Sequence, residues 1–173
     1  EKAARETEGV TLTWEGHFID PLFTHTTTGF TRPGDEEHPY LASVSCVHDP
    51  EEEGFVQEMI MQPEEAAKRV SAIPAGDGFP EQVQIISRDE AGYALQLQIG
   101  GFPFNGEEVR LALGLPSACF ELNRHGSDVR FTVRGRGHGW GLSQTEAQAL
   151  AEDGWSAEAI LEYFYTGISF SSE

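Results

Sequence analysis

The chain has 173 residues, 39% hydrophobic and 10% aromatic, enough for one domain with a real core and too few for two. With 29 acidic residues against 11 lysines and arginines, its net charge of −18 repels phosphate backbones and anionic lipid heads, which sets nucleic-acid and membrane-surface partners aside. No apolar run approaches the roughly 18 residues of a membrane span, no basic stretch leads into an apolar one as in a signal peptide, and two cysteines, Cys46 and Cys119, leave room for at most one bridge.

Residues 1–8 are polar and helix-compatible, with Gly9 placed like a helix C-terminal glycine, so the chain reads as starting inside a helix of a longer domain. Residues 10–14 alternate, Glu15-Gly16 turns, and residues 17–19 and 22–25 continue as a hairpin of strands. Glycine, proline and threonine then make residues 26–38 a loop. Pro63 at a first helical position, with Glu64 and Glu65 early and Lys68 and Arg69 late, predicts a helix over residues 64–72. Residues 83–87 and 93–99 alternate around the turn-rich stretch 88–92, a second hairpin.

Asn105 and Glu108 have capping-box spacing ahead of Val109, Leu111 and Leu113, and Gly114 and Pro116 stop that helix. Residues 120–123 and 129–133 flank a turn and predict a third hairpin. After it, four glycines alternate with larger residues in Gly135-Arg-Gly-His-Gly-Trp-Gly-Leu-Ser-Gln144, a costly choice unless the backbone must bend or come close to something. Ser143 and Glu146 are spaced as a capping box for a helix over 144–153, ended by Gly154, and a last helix covers 157–165 before Gly167. The sum is one α+β domain, residues 1–173, of mostly antiparallel strands and several short helices.

Residues 135–144 resemble the signature Gly-x-Gly-His-Gly-x-Gly-Met-Ser-Gln of the stage II sporulation protein D (SpoIID/LytB) domain family. Ala151-Glu-Asp-Gly-Trp155 and Ile160-Leu-Glu-Tyr-Phe-Tyr-Thr-Gly167 resemble its ending. Leu12-Thr-Trp-Glu-Gly16, Phe23-Thr-His25, Gly29-Phe-Thr31, Pro39-Tyr-Leu41 and Ser43-Val44 resemble its central block in the same order. The resemblance covers the later two-thirds of the family's domain. There are departures: Thr145-Glu146 stands where the family commonly has Tyr-Gly, and Ala42 where a lysine is frequent.

The resemblance implies lytic transglycosylase chemistry on peptidoglycan glycan strands, in the cell envelope or outside the cell, with a membrane anchor beyond this chain. It attributes catalysis to a glutamate in an early Glu-Met-Pro motif. No such motif occurs here, since Glu58-Met59 is followed by Ile60 and comes after the central block, so no catalytic residue is assigned to this chain. Glycosidic cleavage needs a general acid on the leaving oxygen, so that acid is expected from the N-terminal part of the same domain. The LytB side of the family implies an alternative, a noncatalytic peptidoglycan-binding module that enhances amidases, with other wall hydrolases as partners. Some members carry a zinc cluster, but Cys46 and Cys119 match no family metal position, and no cofactor or metal ligand is expected.

For substrate contacts the expected residues are His25, Thr26 and Thr27 in one small-residue loop, Gly137, His138 and Gly139 in the other, and Tyr40, Ser143 and Gln144. The loops 26–32 and 135–141 are expected to meet and line a groove with Tyr40. Ser143 reads first as a helix cap, and a two-histidine metal site at His25 and His138 is weak without a third ligand. Arg124, Arg130, Arg134 and Arg136 read either as a positive patch for substrate carboxylates or as strand-face arginines paired with surplus acids. His17, His38, His48 and His125 read as solvated or structural, and Tyr163, Phe164 and Tyr165 as helix core.

Overall fold

A computed structural model describes residues 9–70 and 83–172 of the chain. The expected helix end over 1–8 and the end of the helix over 64–72 fall outside those residues.

Strand β1 (Val10–Trp14) turns at Glu15 and Gly16, both at positive φ, into β2 (His17–Phe18). On its other side β1 pairs antiparallel with the last strand of the fold, β11 (Ile168–Ser172), Trp14 opposite Ile168. The chain then leaves this sheet at Asp20 and Pro21, so β3 (Phe23–Thr24) does not extend the hairpin. It pairs instead, in parallel, with β10 (Leu142–Ser143). Proline offers no N–H to a ladder, which explains the break at position 21.

A second sheet has β9 (Asp128–Arg134) between β4 (Val56–Met61) and β8 (Phe120–His125). A third runs β5 (Val83–Arg88), β6 (Ala94–Ile99) and β7 (Phe102–Asn105), all antiparallel. The helices are α1 (Pro63–Arg69), α2 (Gly106–Leu113), α3 (Gln144–Glu152) and α4 (Ala157–Phe164). The reciprocal box at the start of α2 is complete, with Asn105 accepting from Glu107 N and Glu108 accepting from Asn105 N.

Two cores result. One joins β4, β6, β8 and β9 to α1 and α2 through residues such as Leu97, Val109, Leu113 and Phe131, and the other gathers Tyr40, Leu41, Leu150, Ile160, Phe164 and Tyr165. Cys46 and Cys119 are buried free thiols, and burial pushes Cys46 up to about 12, so both behave as small apolar groups.

Arg32 ties the glycine loop to the third sheet. Its side chain is buried, Nε donates to Asp89 at 2.6 Å, and one terminal nitrogen donates to Glu107 and to the His138 carbonyl, both at 3.2 Å. The guanidinium also lies 3.7 Å from the Trp140 ring centroid and 4.8 Å from that of Tyr93. A buried charge needs such compensation, and two carboxylates provide it.

Candidate functional site

The two loops meet. Thr26 and Arg136 exchange backbone hydrogen bonds of 3.0 and 2.8 Å, and Arg32 N donates to the Gly139 carbonyl at 2.8 Å. The glycines make this approach sterically feasible: a Cβ on Gly137, which has φ of 112°, would lie 2.1 Å from Thr24 Oγ1, a hydroxyl that donates to the Arg136 carbonyl and accepts from Gly139 N.

Beside this junction two clefts meet at His25 and Glu52. The larger, about 510 Å³, is lined by His25, His48, Glu51 and Glu52 on one side and by Gln144, Thr145, Gln148 and Glu152 of the α3 region on the other. The smaller, about 260 Å³, runs from His25 and Thr26 past Glu52 and Glu53 to Gln57 and Arg136. Together they form a polar trough with the exposed His25 at its middle.

The floor of the trough is a buried polar network that sequence reasoning missed. Asp49, fully buried, accepts from both the backbone N–H and the hydroxyl of Thr27 at 2.6 Å, and the Ser143 hydroxyl lies 2.8 and 2.9 Å from its two oxygens. Ser143 also caps α3 by accepting from Glu146 N. The expected reciprocal half of that box is not formed. The buried Glu146 carboxylate turns away and accepts from His48 N at 2.8 Å, with His48 Nδ1 3.1 Å from its other oxygen. Thr145 and Glu146 are among the positions that depart from the signature the sequence resembles, and that departure was the available signal.

Of the expected contact residues, His25, Thr26 and Gln144 come together on the trough. Thr26 is buried and acts through its hydroxyl, 2.7 Å from His25 Nδ1 and 3.0 Å from Thr145 Oγ1, which orients the imidazole. Thr27 and Ser143 lie beneath in the Asp49 network. Tyr40 is core, its hydroxyl donating to the Asp20 carbonyl and accepting from Asp20 N. Gly137, His138 and Gly139 line neither cleft. His138 Nδ1 accepts from Trp140 N at 3.1 Å, the two rings are tilted 5.6 Å apart, and burial followed by the Arg110 and Arg32 charges holds its pKa below the ordinary value. His138 is therefore a neutral clamp on the loop. Among the described residues no three histidine, cysteine or acidic side chains form a metal-holding group.

The arginines divide. Arg130 and Arg134 sit on the open face of β9 and pair with Glu58 at 3.4 Å and Glu121 at 3.0 Å, as strand-face arginines do, while Arg136 stands in the trough.

The His48–Glu146 contact yields a pH expectation. The hydrogen bond to Glu146 raises the His48 pKa above its ordinary value. A raised histidine value means the stabilisation is full below the unfolded-state pKa and is lost as pH rises through the folded one. Denaturant unfolding at about pH 5.5 and about pH 8.5 is expected to give a gap between the parent and His48→Gln at the lower pH that closes at the higher. A gap independent of pH would mean that protonation of His48 does not contribute.

No family model matches the chain. It is 31% identical to stage II sporulation protein D of Bacillus amyloliquefaciens and 29% identical to that of Bacillus subtilis (strain 168), each alignment taking in 98% of this chain and 50% of the relative. The chain spans about half the length of these curated relatives.

Proposed function

We propose that this chain, which belongs to the stage II sporulation protein D family, supplies the glycan-binding wall of a peptidoglycan lytic transglycosylase whose general acid comes from the part of the relatives it does not match. The observation that carries this reading is the trough through His25. Its rim holds imidazole, amide, carboxylate and guanidinium groups over a floor locked by Asp49, a polar, rigid surface suited to sugar hydroxyls and acetamido groups. Substrate held there loses rotational freedom before the chemistry begins.

Glu51, Glu52 and Glu152 stand exposed on the rim. An acid that protonates a leaving glycosidic oxygen works from a drier site, so these three fit sugar-hydroxyl acceptors better than the acid. In the reaction so assigned, the off-chain carboxylic acid protonates the leaving oxygen as the glycosidic bond breaks. The muramic acid 6-hydroxyl then closes on the anomeric carbon, its proton returning to that carboxylate, giving an anhydro end. With peptidoglycan as ligand the domain works in the cell envelope, alongside other wall hydrolases.

The test uses the 173-residue chain and a version extended to the full length of the relatives, each incubated with glycan strands stripped of stem peptides. Mass spectrometry is expected to detect anhydromuramic ends only with the extended protein, while both bind glycan. Turnover by the 173 residues alone would overturn the assignment of the acid. An extended protein that folds and binds glycan without cleaving it would favour the amidase-enhancing role.

A further inference from the structure

We infer that Arg136 is the carboxylate-recognition residue of the trough, so that the chain selects glycans bearing free carboxylates over neutral ones. This rests on the glycan-binding reading above and adds to it the class of strand preferred.

Three observations converge on Arg136. It is exposed at the end of the smaller cleft, on the same continuous surface as His25. Its backbone is fixed on both sides, by the paired hydrogen bonds with Thr26 and by Gly135 N donating to the Phe55 carbonyl at 2.9 Å, so the guanidinium swings from an immobile base. Among the described residues no carboxylate pairs with it, although Arg130 and Arg134 on the strand just before it both hold glutamates and the chain carries 29 acids.

A guanidinium left unpaired beside a binding trough in so acidic a protein is available to a ligand. Its planar fork of donors matches a carboxylate, and a lysine's point charge does so less well. Glu52 and Glu53 on the facing rim repel an anion placed anywhere else in the cleft, which confines a ligand carboxylate to the Arg136 end. On peptidoglycan the carboxylate has two sources, the lactyl group of a bare muramic acid or the stem peptide.

Equilibrium binding would be measured for the parent, Arg136→Gln and Arg136→Lys, with three ligands: peptide-free strands with free lactyl carboxylates, the same strands after amidation of those groups, and peptide-bearing strands. The parent is expected to bind free-carboxylate strands about tenfold more tightly than amidated ones, a gap that narrows with salt. Arg136→Gln should bind free-carboxylate and amidated strands alike, losing the gap, and Arg136→Lys should keep part of it. An Arg136-dependent gain with peptide-bearing strands alone would assign the carboxylate to the peptide and still support the site. A parent that binds free and amidated strands equally with no Arg136-dependent gain on peptide-bearing strands, or an Arg136→Gln protein that keeps the gap, overturns the inference and leaves the glycan reading standing. A parent that binds no strand at all overturns both. Matching thermal melts for the three proteins establish that the variants are folded.

Discussion

Asp49→Ala is expected to lower the midpoint of thermal unfolding by roughly 10 °C, because it strips the acceptor from the Thr27 N–H, the Thr27 hydroxyl and the Ser143 hydroxyl at once. Each buried donor left without a partner costs about 1–3 kcal/mol, and partial entry of water brings the sum to about 3–5 kcal/mol. For a domain of this length each kcal/mol moves the midpoint by roughly 2–4 °C. The damage extends beyond stability, since Asp49 begins the single helical turn that carries Glu51 to the trough and follows His48 directly. Glycan affinity should therefore fall in the same variant at a temperature where it remains folded. Asn at position 49 keeps one acceptor oxygen and should lie between the two. Circular dichroism melts of the three proteins check this; a shift in Asp49→Ala below about 2 °C, under 1 kcal/mol at this length, would mean that the network does not hold the floor.

That network illustrates which parts of the molecule could be read from sequence. The alternation of residues 83–87, 93–99 and 129–133 betrayed their strands because one face is buried and the other open, as in β9, where Val129, Phe131 and Val133 point inward and Arg130 and Arg134 outward. β4 gave no such signal: Val56 and Ile60 are exposed while Met59 and Met61 pack inward, so apolar residues occupy both faces and the period is lost. The glycine alternation correctly pointed to a close approach, because each Gly reports a local steric demand. That it meets the 26–32 loop followed from the family resemblance, but the Thr24 hydroxyl it closes on was not legible, since Thr24 and Arg136 stand 112 positions apart.

The same distance hid the site. Asp49 meets Ser143 across 94 positions and His48 meets Glu146 across 98, contacts that no local pattern encodes. Ser143 and Glu146 matched a capping box in sequence, yet a neighbouring chain offered Glu146 two donors from His48, and that pairing displaced the local one. Tyr40 is expected in the groove from the resemblance of Pro39-Tyr-Leu41 to the family's central block. Its neighbour Leu41 is buried with it, and such an apolar pair anchors a loop to the core.

Gly141→Ala is expected to be the most damaging change in the glycine loop, and the geometry separates its two causes. At φ of 71° an alanine occupies the left-handed region at about 1–2 kcal/mol. Its Cβ would also lie 1.8 Å from the Leu22 carbonyl oxygen and 2.6 Å from the carbonyl carbon, both backbone atoms that no rotamer change can move. That carbonyl accepts from Leu142 N at 3.1 Å and from the Tyr165 hydroxyl at 2.8 Å, so yielding breaks the start of the β3–β10 pairing and loosens the second core. Thr24 and Ser143 both sit in that pairing, and through them the displacement reaches the Arg136 bridge and the Asp49 floor. A total of about 4 kcal/mol, or roughly 8–16 °C in the unfolding midpoint, is expected, together with loss of glycan binding. Gly154→Ala is the matched control: φ is 90° there, and nothing lies within 4 Å of the added Cβ, so strain acts alone. It should cost about 1–2 kcal/mol and leave binding intact. Equal midpoints for the two variants would show that the loop yields at Leu22 without loss, and that the close packing of β3 on β10 does not position the trough.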